Sequence, residues 1–174
     1  MRRLALLILV LVLVAGGSWW FFAHRGTTTV MSGGQLTIYY TKLDGTSLGA
    51  WSVSMRPPQP GESAAEHLAN MALYAAVQSA AGPPSDVQAI RFPAGTHIKN
   101  VTVHGSIATV DLSHEVTQQV GGTFSENGEF KGLVYTMTGI PGIHAVQVTV
   151  EGQKLATLPG GHVELDEPLQ RSDF

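Results

Sequence analysis

Imidazole, carboxylate and hydroxyl groups are the reactive side chains of this 174-residue chain, which has seven histidines, thirteen acidic residues and no cysteine. The lack of cysteine excludes thiol nucleophiles, iron–sulfur clusters, zinc ribbons and disulfide scaffolds. His114-Glu115 begins like the HExxH zinc motif, but no second histidine follows at the required spacing. We therefore expect no metal site and interpret the histidines as surface residues, with His67 on the polar side of a helix.

Hydroxyl and carboxylate groups form no recognisable catalytic motif either. The chain lacks the GxSxG and SxxK patterns of serine enzymes. Ser113 lies between Asp111 and His114, but neighbours at one strand end do not form a triad, and helix capping accounts for this serine. Four carboxylates could supply a glycosidase-like pair, although we expect a solvated or capping role for each: Asp111, Glu115, Glu126 and Glu129. We expect no catalytic residue and no cofactor.

The overall charge and the motif content argue against nucleic acid and nucleotide partners. The formal net charge is −3 and aromatic residues make up only 7% of the chain. Binding to a phosphate backbone requires an excess of Lys and Arg on one face, and single strands require stacking aromatics. Neither a GxGxxG motif nor a P-loop occurs, so nucleotide binding has no support.

An uncharged stretch of nineteen residues, Leu4–Phe22, predicts a transmembrane helix. At 1.5 Å per residue it would span about 28 Å, close to the thickness of the hydrocarbon core. Arg2 and Arg3 precede it, which favours a cytoplasmic N-terminus (residues 1–3) and an extracytoplasmic C-terminal domain. Aromatic residues suited to the membrane boundary close it: Trp19, Trp20, Phe21 and Phe22. The expected localisation is the cell membrane, with a single pass.

A cleaved signal peptide is the alternative interpretation of this leader. Small residues at 14–16 (Val-Ala-Gly) would suit a signal peptidase, but the apolar run continues beyond them. Both interpretations export the rest of the chain. Residues 23–34 are small, polar and rich in Gly and Thr, and we expect them to form a flexible tether.

The exported part has the pattern of a mixed α and β domain. Alternating residues predict strands at Gln35–Thr41 and Leu48–Met55. A capping box, Ser63-Ala64-Ala65-Glu66, starts a helix that Gly82 ends. A hairpin is expected to pair His97–Val103 with Ser106–Leu112, placing Val101 and Val103 on the same side as Ala108, Val110 and Leu112.

The remaining elements are a short helical stretch from Ser113 to Val120, a helix over about 126–138 and a strand over 143–151. Gly128 and Gly132 weaken the helix by about 1 kcal/mol each relative to alanine, so packing must hold it. An acidic tail follows. The order predicts an α+β fold, namely a two-layer sandwich of a mainly antiparallel sheet with two helices on one face.

Short motifs from the first helix onward resemble the GerMN domain, an exported module of bacterial sporulation and spore-germination proteins. The resemblance covers residues 35–171 and leaves 172–174 as a tail. It rests on Phe92–Thr96, Ala108–Ser113 and Leu133–Thr138, together with the glycines and prolines around them. The family positions to which it assigns a structural role are Gly82, Pro83, Pro93, Gly95, Asp111, Leu112, Ser113, Thr136 and Gly152.

This resemblance implies a fold similar to the ring-building motifs of secretion systems and a scaffolding role without catalytic residues. Lipoprotein members of the family carry a lipobox cysteine, and two such domains can occur in tandem. This chain has no cysteine, and we expect one domain. The predicted function is a membrane-anchored interaction module of the cell envelope, whose partner is an envelope protein or a second copy. A cell-wall hydrolase or small-ligand-binding domain is the alternative.

Overall fold

The computed structural model describes residues 34–118, 122–159 and 161–174, with the backbone alone at 122 and 123. The predicted anchor, Leu4–Phe22, lies outside these residues, and so do its flanking arginines and nearly all of the tether. Within the described ranges, no helix is both long enough and apolar enough to cross a bilayer.

The described chain forms an α+β fold with two sheets and two helices, which confirms the predicted class. Its elements, in order, are β1 (Gln35–Thr41), β2 (Leu48–Ser54), α1 (Ala64–Ala81), β3 (Ile98–His104), β4 (Ile107–Leu112), α2 (Gly122–Met137) and β5 (Ala145–Val150). Short 3-10 helices occupy His114–Thr117 and Arg171–Asp173.

The expectation of a single sheet is wrong, but two of the three strand pairings are antiparallel, as predicted. β1 and β2 form an antiparallel hairpin, and β3, β4 and β5 form a separate sheet in that order. β5 runs parallel to β4 because a helix connects the two strands, and such a crossover returns the chain in the same direction.

Helix α1 follows its sequence signals closely. The Ser63 hydroxyl accepts a hydrogen bond from the Glu66 amide (3.2 Å), and the Glu66 carboxylate accepts one from the Ser63 amide (2.8 Å). The helix ends at Gly82, whose φ of 75° is unfavourable for other residues. Three alanines, Ala72, Ala75 and Ala76, are fully buried. The predicted capping box and glycine end are confirmed.

Helix α2 lies along the outer edge of β1, and its glycines allow this close approach. A Cβ atom on Gly132 would lie 3.2 Å from the Tyr39 carbonyl oxygen. One turn earlier, the Gly128 carbonyl accepts a hydrogen bond from the Thr41 hydroxyl (2.8 Å), and one turn later the Thr136 hydroxyl accepts one from the Tyr39 amide (2.8 Å). The helix begins at Gly122, four residues before the predicted start.

The β3–β4 hairpin has the predicted register. Val101 pairs with Val110 and Val103 with Ala108, and the inward face contains the buried Val101, Ala108, Val110 and Leu112. The register shifts between Ile98 and Asn100, which leaves Lys99 in a bulge. The alternation of apolar and polar residues predicts this face correctly, because only one side of the strand pair faces the core.

The segment after β5 completes the core, although the sequence predicts only an acidic tail. Leu158, Val163, Leu165 and Leu169 are all buried. Leu169 pairs with Val146 of β5, and the Gln147 side chain donates to the Leu165 carbonyl (2.7 Å). Val163 and Leu165 alternate with Glu164 and Asp166, so the acidic residues conceal a short inward-facing apolar pattern.

Candidate functional site

Most of the residues that the family resemblance singles out hold chain segments together. Asp111, near the end of β4, accepts hydrogen bonds from the Thr149 hydroxyl (2.8 Å) and from the Gly152 amide (2.7 Å). Gly152 has a φ of 74°. The carboxylate thus ties the turn after β5 to β4, while its neighbour Leu112 is fully buried.

The hydroxyl of Ser113 does not cap the short helix that follows it. Ser113 is the residue before His114–Thr117, as predicted, but its buried hydroxyl accepts a hydrogen bond from the His97 amide (3.0 Å) instead. The His97 carbonyl in turn accepts one from the Ser113 amide (3.0 Å). The capping prediction is wrong, because the Ser113 hydroxyl accepts from the residue that precedes β3 and not from the short helix.

The loop that begins at the end of α1 and leads to β3 contains four more family positions, Gly82, Pro83, Pro93 and Gly95, whereas Thr136 lies in α2. Gly95 has a φ of 90°, and the Pro93 carbonyl accepts a hydrogen bond from Thr96 (3.0 Å). After α1, the Arg91 guanidinium donates to the carbonyls of Pro83 (2.7 Å) and Pro84 (2.8 Å). These contacts shape the loop.

An exposed ion pair joins the β3 bulge to the end of β5. Lys99 donates to Glu151, whose other carboxylate oxygen accepts a hydrogen bond from the His114 amide (2.9 Å). Glu151 has a positive φ of 53°, which is unusual for a residue other than glycine. The Lys99 ammonium lowers the pKa of Glu151, and the carboxylate raises the pKa of Lys99. The pair stabilises the turn at this sheet end.

Two of the four candidate acids are buried, so the expectation of solvated roles for them is wrong. Glu126 is fully buried and Glu129 is 5% exposed. One Glu126 oxygen accepts a hydrogen bond from the His162 amide (2.7 Å), because the C-terminal segment folds over the start of α2. Asp111 and Glu115 are half-buried.

The cleft beside Glu129 is too small to hold a sugar residue. Its lining includes Thr41, Ser79 and Arg91, and its volume is about 10 Å³. That volume is room for about one water molecule. A cell-wall hydrolase would require a cleft that admits its substrate to the carboxylate.

The described histidines lie on different elements, although His97 and His114 both lie near Glu115. His97, His104 and His114 are exposed, as predicted. His67 is half-buried, and its Nδ1 atom lies 3.2 Å from a carboxylate oxygen of Glu62. Among the described residues, no three His, Asp or Glu side chains are close enough together to hold a metal ion.

A largely apolar groove of about 290 Å³ separates the end of β2 from α1. Its lining residues are Ser54, Met55, Arg56, His67, Asn70, Met71 and Tyr74. Beside it, α1 exposes the large side chains of Leu73 (39%), Tyr74 (40%) and Val77 (42%). We call these three residues together with the groove the α1 surface.

Glu62 fixes the polar end of the α1 surface. Its side chain is only 7% exposed and receives both guanidinium nitrogens of Arg56, at 2.8 and 2.6 Å. The Asn70 side chain and the Gln59 amide also donate to it, each at 2.8 Å. The guanidinium, followed by these other donors, holds the pKa of Glu62 far below its ordinary value. The network holds Arg56 and Asn70 in fixed positions at the wall of the groove.

The model of the Germane family, described as sporulation and spore germination, matches residues 37–156, more than half of the chain. This chain belongs to the Germane family. The predicted GerMN resemblance is therefore confirmed. No curated protein matches this Germane chain.

Solved structures share the fold of this Germane protein. A Clostridium perfringens protein described as a lipoprotein has a TM-score of 0.56 at 20% identity, with 82% of this chain and 91% of that chain covered. The tandem GerMN domains of the sporulation protein GerM from Bacillus subtilis have a TM-score of 0.55 at 21% identity, with 82% and 48% covered. The first of these GerMN domains alone gives 0.54 at 20% identity, with 80% and 98% covered. This chain spans about half the length of the tandem protein.

Proposed function

We propose that this Germane protein is an extracytoplasmic protein-interaction module of the bacterial envelope, held at the membrane by its leader. The α1 surface is the single observation that carries the interaction role. Leu73, Tyr74 and Val77 expose apolar side chains beside a groove that contains Met55 and Met71. Contiguous exposed apolar side chains beside a groove are typical of protein–protein contacts.

The position at the membrane is supported by the sequence and by the comparisons. The leader is long and apolar enough to span a bilayer, and it follows two arginines. The similar C. perfringens protein is described as a lipoprotein, and GerM is a sporulation protein. In this proposal the single-pass leader replaces a lipid anchor, and the process served is sporulation or spore germination.

The groove suits an apolar side chain of a partner protein. Two methionines supply a deformable floor, and Tyr74 adds a ring with a polar tip. Arg56 and Asn70 are held at one wall by Glu62 and can meet the polar groups next to the inserted side chain. In this proposal the protein performs no bond-making chemistry and uses no cofactor.

Site-specific photocrosslinking in intact cells tests the proposed function. A photoreactive phenylalanine replaces Tyr74 in the full-length chain, and the same residue replaces Ser106 in the β3–β4 turn as the control. Both side chains are exposed, so neither change should unfold the protein. We expect a discrete crosslinked envelope protein from position 74 and not from position 106. Identical products from both positions, or none from position 74, would contradict the proposal.

A further inference from the structure

Among the residues that the structure describes, no strand pairs with the outer edge of β2. Tyr39 donates its amide to Thr136, and the Thr41 carbonyl accepts from Ile90, so both residues direct their backbone groups away from β2. Tyr39 pairs with Ala50 and Thr41 with Leu48. In an antiparallel ladder these are therefore non-hydrogen-bonded pairs, and β2 turns the backbone groups of alternate residues outward: Leu48, Ala50, Ser52 and Ser54.

Within the described chain, no residue forms a hydrogen bond with these outward groups. The other strand edges are protected. Helix α2 covers the edge of β1, and Leu169 pairs with β5. β3 carries a bulge and Lys99, two features that prevent edge pairing. β2 (LGAWSVS) contains neither charge nor proline, so it lacks these protections.

We infer that β2 pairs with β2 of a second copy of this chain, antiparallel and about a two-fold axis at Trp51. This register places Ala50 of one copy opposite Ser52 of the other, so outward backbone groups meet outward groups along the strand. The side chains at both positions are small and exposed. The seven-residue strands contain no like charges that would face each other.

The charges beside β2 select a second copy as the occupant. The hairpin turn carries Lys42 and Asp44, and Lys131 of α2 lies against it, because its ammonium donates to the Thr46 carbonyl (2.8 Å). The opposite end carries two glutamates and one arginine: Glu62, Glu66 and Arg56. Antiparallel pairing brings the net positive end of each copy beside the net negative end of the other.

This contact uses the edge of β2, whereas the partner protein proposed above occupies the groove. The two sites share Ser54 and Arg56, but their tests are different. The full-length chain is studied in detergent micelles by sedimentation equilibrium, with Ser52→Lys as the disrupting variant and Ser52→Thr as its control. A lysine on the edge keeps strands apart, whereas threonine favours them. We expect the wild type and Ser52→Thr to dimerise and Ser52→Lys to raise the dissociation constant by at least about tenfold. Equal association of all three chains, or a monomeric wild type, overturns the inference.

Disulfide trapping tests the register independently of stability, because the natural chain has no cysteine. Ala50→Cys and Ser52→Cys chains are prepared separately, then mixed and oxidised. Opposite residues lie within disulfide reach, whereas identical positions are offset by two residues along the strand. We expect linked dimers from the mixture and few from either variant alone or from Ser106→Cys. Equal crosslinking in every sample, or capture of another protein without dimers in the mixture, overturns the inference.

Discussion

Individual carboxylates in this protein connect different elements of the chain. Asp111 binds Thr149 and the amide of Gly152, and Glu62 binds Arg56, Asn70 and the Gln59 amide. The sequence predicts Asp111 as a family position, but spacing alone does not show which turn it holds. The role of Glu62 has no sequence signal, since its partners come from a proline-rich loop and a helix.

Replacing Asp111 with alanine should destabilise the fold without affecting its architecture. The change removes two hydrogen bonds to a half-buried carboxylate, which contribute roughly 1–2 kcal/mol. Urea unfolding followed by circular dichroism measures the loss. The matched control is Asp86→Ala, because Asp86 is an exposed aspartate in a loop. Equal unfolding midpoints for the two variants would show that the tie to Gly152 contributes nothing.

Stability should fall in acid partly because Glu62 becomes protonated. The pKa of Glu62 is lowered in the folded state from its ordinary value of 4.5, chiefly by Arg56. Its contribution is therefore complete above about pH 4.5 and decreases as the pH falls towards the folded pKa. Glu62→Gln should flatten this part of the curve of stability against pH. Glu164→Gln, which changes an exposed acid, is the control, and its curve of stability against pH should have the same slope as that of the wild type.

At the scale of elements, the sequence predicts those features that depend on residues close together in the chain. The capping box at Ser63 and the glycine end at Gly82 depend on neighbouring residues, and the β3–β4 register depends on alternation. The position of β1 beside α2 is not local. From the sequence, Gly132 is only a residue that weakens a helix. The structure explains why a glycine is needed there, because β1 lies too close to leave room for a side chain. β5 likewise takes its direction from the crossover through α2.

Adding a methyl group at Gly132 should separate α2 from β1. Alanine favours a helix by about 1 kcal/mol, but its Cβ would lie 3.2 Å from the Tyr39 carbonyl, and a backbone atom cannot move aside cheaply. We expect Gly132→Ala to destabilise by about 1–3 kcal/mol in urea unfolding. Asn127→Ala, at an exposed position of the same helix, is the control. A Gly132→Ala chain as stable as the control would contradict this packing.

At the scale of the whole molecule, the core extends beyond the part that the family model matches. That match ends at residue 156, whereas Leu158, Val163, Leu165 and Leu169 are buried beyond it. Arg171 continues the attachment, because its Nε atom donates to the Thr138 hydroxyl (2.7 Å) and its guanidinium lies 4.8 Å from the centre of the Tyr135 ring. The acidic composition of this segment conceals its role, since charged and apolar residues alternate.

A chain truncated after Ala156 should therefore fail to fold cooperatively. Truncation removes four buried side chains, each of which stabilises by about 1.5–3 kcal/mol, and exposes β5 and Glu126. The expected loss is comparable to the whole stability of a domain of this size. Loss of a sharp thermal transition in circular dichroism checks it. The control is the full-length chain with Glu164→Ala and Asp166→Ala, which alters the acidic composition and keeps the apolar residues. A truncated chain that melts as sharply as this control would place residues 157–174 outside the folding unit, and the family match would then delimit the domain.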